Sequence, residues 1–111
     1  MKQTSLNLAS KQVYIHPKTL DKPLVLDAEK LINGLKGQAL KIEGKYYSFL
    51  ENDTVTVTNV VVKGEVEIDS FDKFAHHIII SKNVEFLNKF TIEGSMFCGS
   101  FRIEGGIFSK A

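Results

Sequence analysis

Three histidines, one cysteine and a recurring set of glutamates are the residues whose types could do chemistry. His76 and His77 are adjacent, and neighbours on a strand point to opposite faces, so the two do not readily share one metal ion. His16 is distant in sequence, and no Cys or Asp cluster completes a site around it. All three are expected at or near the surface. Cys98 lies in Ser95-Met96-Phe97-Cys98-Gly99-Ser100-Phe101. A nucleophilic thiol needs a base and an activating environment; its apolar and aromatic neighbours point instead to a buried structural thiol. Ser95 and Ser100 sit beside glycines, but neither lies in a Gly-x-Ser-x-Gly elbow, so both read as corner residues. Glu43, Glu65, Glu67, Glu85, Glu93 and Glu104 recur next to turn residues. A glycosidase needs two carboxylates at a set separation, whereas regular recurrence describes a solvated face. Glu104-Gly105-Gly106 lacks the following helix and lysine of a phosphate loop. No catalytic residue, metal ligand or cofactor emerges, and the chain reads as a non-enzyme.

The elements that would carry these residues are strands. Thr54-Val55-Thr56-Val57-Thr58 alternates with period two, and Val60-Val61-Val62, Val66-Glu67-Ile68, Ile78-Ile79-Ile80, Val84-Glu85-Phe86 and Phe101-Arg102-Ile103 continue the pattern. These are β-branched and aromatic residues at strand spacing. The triple runs suggest strands covered on both faces. Residues 1–23 differ: Lys11 to His16 alternates briefly, then Pro17 and Pro23 confine the stretch to an N-terminal arm or an edge strand. Residues 24–111 form a single β domain. Between Leu24 and Gly37 the reading is open, since Asp27 could cap a short helix ended by Gly34. The Asn33-Gly34 turn signal and the weakness of a two-turn helix tilt it toward strands.

Turn residues recur. Gly34, Gly44, Gly64 and Gly94 fall at steps that are multiples of ten, with Asn52-Asp53 and Asn83 near the missing steps. Val61 to Ile68 aligns with Ile79 to Phe86 at an offset of eighteen, and Ile92 with Ile103 at an offset of eleven. Repetition of this kind is tested first against repeat architectures. A β-solenoid stacks parallel rungs, with glycine or asparagine at corners where φ is positive. The longer offset makes a plausible rung, and the shorter final spacing is a change of side. The alternative is an antiparallel β-barrel or sandwich, with Asn52-Asp53 and Lys63-Gly64 as hairpin turns.

Leu31-Ile32-Asn33-Gly34-Leu35-Lys36-Gly37, Val62-Lys63-Gly64-Glu65-Val66 and Ile103-Glu104-Gly105-Gly106-Ile107-Phe108 resemble bactofilin repeats, and the likeness runs from about residue 24 to 109. Bactofilins are polymer-forming bacterial cytoskeletal proteins, right-handed β-helices that stack end to end. The resemblance implies a β-helix that associates with copies of itself. The glycines are sparser than in that family, and the stretches from Tyr46 to Asp53 and from Phe71 to His77 interrupt the pattern.

Bulk properties bound the function. Fourteen basic and thirteen acidic side chains are interspersed and leave a net charge of +1, which is not the basic stripe of a nucleic-acid binder. No signal peptide or membrane span is read from the sequence, and a single cysteine fits a reducing, cytoplasmic setting. Protein–protein contact remains, with the chain itself, as oligomer or polymer, or with another protein that the domain inhibits or adapts. An uncapped solenoid ends in unpaired edges that invite a further copy. Phe97, Phe101, Ile103, Ile107 and Phe108, close to the C-terminus, are the candidate contact residues, and the aromatic-rich segment around them otherwise supplies core. Tyr14, Tyr46 and Tyr47 are candidate exposed anchors.

Overall fold

A computed structural model describes residues 13–69, 71–94, 96–105 and 107–108, with the backbone alone described for Met96, Ile107 and Phe108. Residues 1–12 of the expected arm, Ser95 and Gly106 lie outside the described residues.

The chain is mostly strand, with one α-helix among the described residues. The elements up to the first hairpins are β1 (Tyr14–Ile15), β2 (Leu24–Leu26), α1 (Ala28–Leu35), β3 (Leu40–Ile42), β4 (Lys45–Tyr47) and β5 (Leu50–Glu51). Then come β6 (Thr54–Val57), β7 (Val60–Val62), β8 (Val66–Ile68) and β9 (Lys73–Phe74). A similar set follows as β10 (His77–Ile80), β11 (Val84–Phe86), β12 (Phe90–Ile92) and β13 (Met96–Phe97), and β14 (Phe101–Ile103) and β15 (Ile107–Phe108) come last.

From β6 to β11 each strand pairs in parallel with the strand four places later in the chain. Val55 pairs with Ile78 and Ile78 with Phe101. Val60 pairs with Val84, and Phe86 with Phe108. Val66 pairs with Phe90, and Phe74 with Phe97. The step between paired residues is nearly constant, shortest at Glu85↔Ile107 and only two positions longer at Val60↔Val84. The offset of eighteen is therefore corrected: Val62 lies beside Phe86, not Ile80. The spacing of eleven is a change of side, as read: Ile92 pairs with Ile68 in one sheet and Ile103 with Ile80 in another. Gly64, one step along its ladder, corresponds to Asn88, so the glycine spacing did not mark equivalent corners.

Because side chains alternate along a strand, the first and third residues of each apolar triplet point inward. Val55 and Ile78, Val57 and Ile80, Val60 and Val84, and Leu26, Val62 and Phe86 form stacked buried rows. Val61 and Ile79, the middle residues of the triple runs, are half-buried rather than covered on both faces. Stacking identical or similar apolar side chains at one strand spacing keeps water out along each row.

The N-terminal end is closed by different means. Strand β2 adds to β7 in parallel, and β5 folds against β6 as an antiparallel hairpin through Asn52, at φ 57°. Helix α1 lies over β8 and β6. Residues 27–35 are thus a capped helix rather than strands. Asp27 is its N-cap, its carboxylate accepting a hydrogen bond from the Lys30 N–H at 2.9 Å, and Leu31, Gly34 and Leu35 are buried. Packing decides the helix: a Cβ on Gly34 would stand 2.9 Å from the ring of Phe49, which is fully buried. Strands β3 and β4 form a second hairpin through Glu43 and Gly44 at φ 51° and 82°, the positive-φ pair that a two-residue turn requires. Strand β1 pairs in parallel with the outer side of β4. Asn59 ties the N-terminal segment to the turn between β6 and β7, its amide donating to the carbonyls of Pro17 and Leu20, both at 2.9 Å.

Candidate functional site

The two ends of the ladder differ in how far their inward rows are covered. Strands β12, β13, β14 and β15 each pair on one side only among the described residues, as do β2, β5, β8 and β9 at the other end. The inward rows lose their cover in step. Ile80 is fully buried and Ile103, next in its row, is 42% exposed; Ile68 is fully buried and Ile92 is 37% exposed. Phe74 is buried, while Phe97, stacked on it at 5.0 Å, and Phe101, 5.0 Å beyond, are half-buried. Phe90 is half-buried against Phe86 at 4.8 Å. The result is an end surface of aromatic and aliphatic side chains, carried on strand edges whose outer N–H and C=O groups make no ladder.

Phe97, Phe101 and Ile103 share this surface. Ile107 and Phe108 continue its edge in β15, their side chains outside the described residues. Outward-facing Arg102 pairs with Glu104 at 2.9 Å, both well exposed. The tyrosines lie at the other end of the chain. Tyr14 is 54% exposed and meets Tyr46 edge to face at 6.3 Å, and Lys41 stands 5.6 Å from the Tyr46 ring. Tyr47 is buried at 8%. Adjacent residues on β4 face opposite ways, so Tyr46 and Tyr47 are not an exposed pair and Tyr47 belongs to the core.

His76 and His77 tie successive parallel strands together. His76 Nδ1 lies 2.9 Å from an Asp53 carboxylate oxygen, before β6, and His77 Nδ1 accepts from the Ser100 N–H at 3.1 Å, before β14. Their opposite directions keep them from a common ligand, and no group of three metal-binding side chains forms among the described residues. Cys98 is exposed, against the expectation of a buried thiol. It follows the last inward residue of β13 and so faces out. The glutamates lie on exposed faces except Glu85, which is half-buried.

One arrangement was not legible in the sequence. Tyr14, His16, Ser48, Leu50 and Glu51 line a cavity of about 450 Å³ beside β1. His16, whose side chain is only 9% exposed, caps the 3-10 turn Pro17–Thr19 by accepting the Lys18 N–H on Nδ1 at 3.2 Å. Its Nε2 is buried and lies 4.0 Å from Glu51 Oε1. Burial holds His16 below its ordinary pKa; the Glu51 carboxylate opposes this, Lys18 adds to it and a hydrogen bond with the Phe49 backbone opposes it. Glu51 is itself held low, first by the hydrogen bonds from Lys18 Nζ at 2.7 and 2.8 Å. Only the juxtaposition of β1, β4 and β5 assembles this set, from segments far apart in the sequence.

Comparison with family models, with curated proteins and with solved structures finds no match. No helix among the described residues is long and apolar enough to cross a membrane.

Proposed function

We infer that the chain is a non-enzymatic, self-associating structural protein of the cytoplasm: a short β-solenoid whose C-terminal end docks on the same end of a second copy. The observation that carries this reading is the graded loss of cover along the inward rows, from fully buried Ile80 to Ile103 at 42% exposure. Parallel strands that advance by a nearly constant step around four sides are the pairing expected of solenoid rungs.

Two features favour a second copy as the occupant. First, α1, β2 and the β5–β6 hairpin lie over the N-terminal end, where the inward rows are buried although β2, β5, β8 and β9 each keep one unpaired edge, so the uncovered apolar rows are those of the C-terminal end. Association by like ends then closes at a dimer, unlike the open polymer that the bactofilin resemblance implies. Second, β14 is self-complementary. Paired antiparallel with its own copy about Ile103, it sets Ile103 against Ile103 and Arg102 against Glu104 at both places, converting an exposed pair within one chain into two pairs between chains.

A second reading rests on Tyr14, exposed on edge strand β1: another protein adds there, and the domain acts as an adaptor or inhibitor. Light scattering after size exclusion, over a wide concentration range, separates the two. A mass that levels at twice the 12.4 kDa chain supports the closed dimer. Growth without limit replaces it with a polymer, and an unchanging single-chain mass leaves the partner-binding reading.

A further inference from the structure

The outer edge of β1 is open, and the apolar face beside it is only half covered. The Ile15 carbonyl accepts the Ser48 N–H at 3.0 Å, so the main-chain groups of Ile15 face β4. Successive residues of a strand point these groups to opposite sides, which turns the N–H and C=O of Tyr14 away from β4. No strand pairs with that side among the described residues. Side chains alternate in the same way. Ile15 packs half-buried against the core, while Val13, on the same face, is 78% exposed. An unpaired edge beside an uncovered valine is a place for a further strand.

The stretch of chain nearest this edge has the pattern to fill it. Residues 1–12 lead directly into β1, and within them Leu6-Asn7-Leu8 has the apolar–polar–apolar order of Val66-Glu67-Ile68 and Phe101-Arg102-Ile103. Folded back antiparallel on β1, this triplet has one register that pairs both leucines with the two apolar residues. Leu8 then stands opposite Val13, Asn7 opposite Tyr14 and Leu6 opposite Ile15. Ala9-Ser10-Lys11-Gln12 is left as a four-residue loop, a common hairpin length with serine a favoured turn residue. A shift of one residue would put the leucines on the Tyr14 face. Setting Leu8 opposite Ile15 would leave Lys11-Gln12 as a two-residue turn, which calls for glycine or asparagine. In the four-residue register Asn7 and Tyr14 form the hydrogen-bonded pair, and the apolar pairs take the closer, non-hydrogen-bonded places.

We propose that residues 6–8 fold back as an antiparallel strand on the outer edge of β1, so that the chain's own N-terminal segment closes this edge. A loop this short costs little to close, which favours the segment of the same chain over that of another. The contact is independent of the C-terminal surface. A protein strand adding to β1, as in the second reading of the function, has to displace this segment.

NMR of the full chain tests the fold-back. Contacts between the Hα protons of Leu6 and Ile15, and of Leu8 and Val13, are expected. The Tyr14 amide should exchange at least about tenfold more slowly than in a Leu6→Asp/Leu8→Asp variant, while the Ile78 amide in β10 exchanges alike in both and verifies the fold. Absence of both Hα contacts in the unsubstituted chain overturns the proposal. So does a Tyr14 amide that exchanges equally fast in the two proteins. In a mixture of isotope-labelled and unlabelled chains, contacts found only between chains would give the edge to a second copy's segment and overturn the fold-back as well.

Discussion

Replacing Ile103 with lysine separates an end surface that is buried in a dimer from one that faces water. Ile80 and Ile103 are neighbours in one row, yet the first is fully buried and the second is 42% exposed. Taking ~1.5–3 kcal/mol for hiding a whole isoleucine, covering the exposed part of Ile103 contributes about 0.6–1.3 kcal/mol per copy. In the proposed dimer two copies meet across the dyad, so the pair supplies roughly 1.3–2.5 kcal/mol, or about 10- to 70-fold in the dissociation constant. Two lysines facing each other at the same place add like-charge repulsion. Ile103→Lys should therefore shift the monomer–dimer midpoint, followed by sedimentation equilibrium, at least about tenfold to higher concentration. Its urea midpoint, measured where both proteins are monomeric, should move little, because the side chain already faces water in a single chain. Ile80→Ala is the control within the row and should lose about 2–5 kcal/mol of stability. An association curve unchanged by Ile103→Lys would refute the argument. So would a loss of monomer stability as large as that of Ile80→Ala, which would place Ile103 in the core.

Other consequences follow from particular contacts. The single variants Arg102→Glu and Glu104→Arg should each weaken the dimer, and the double variant should recover it; three equal association constants would remove the Ile103-centred register. Gly34→Ala gains up to ~1 kcal/mol of helix propensity, but its Cβ would meet the buried Phe49 ring at 2.9 Å, an overpacking worth ~1–3 kcal/mol. A lowered thermal midpoint is expected, and a raised one would show that the ring can yield. His16 is held below its ordinary value of 6.5 by burial, so the unfolded chain binds its proton first. The stability owed to neutral His16 is present above pH 6.5 and falls as the pH drops through the folded-state value; His16→Asn should flatten that slope in urea melts. Cys98, being exposed, should react with a thiol reagent in the native protein at the rate of the denatured chain within about an order of magnitude.

Why some of this was legible in the sequence and some was not has a physical basis. Triplets such as Val66-Glu67-Ile68 and Val84-Glu85-Phe86 announce strands because alternation is a local property. The step between paired strands is not local. Strands of different sheets share much the same inward–outward alternation, so Val84-Glu85-Phe86 resembles Val66-Glu67-Ile68, in a different sheet, as closely as it resembles its partner Val60-Val61-Val62. Likeness between sheets therefore obscured the step between paired strands and gave an offset of eighteen. Helix α1 was obscure for another reason: eight residues containing Asn33-Gly34 have little helical preference of their own. Burial of Leu31 and Leu35 and the close seat of Gly34 on Phe49 decide their conformation. His16 gave no signal at all, because apart from Lys18 its partners, Phe49 and Glu51, come from the far side of α1 and the β3–β4 hairpin.

The capping of the two ends follows from the same distinction. Stacked parallel strands leave the outer edge of every terminal strand unpaired, and burying those groups needs a partner of some kind. At the N-terminal end the partner is irregular: a helix over β8, an antiparallel hairpin against β6 and a single added strand on β7. Strand β2 keeps the buried–exposed–buried order in Leu24-Val25-Leu26, while the helix and the antiparallel hairpins that follow it depart from the parallel pairing. At the C-terminal end the apolar–outward–apolar pattern continues through Phe101-Arg102-Ile103 with no such break, and with it the open edge and the half-covered row. A cap requires sequence unlike the repeat, because its hydrogen bonds and apolar face must end the stack rather than extend it. In the proposed dimer the strand that meets β14 is a copy of itself, because the order of Arg102 and Glu104 about Ile103 makes an antiparallel pair of these strands complementary.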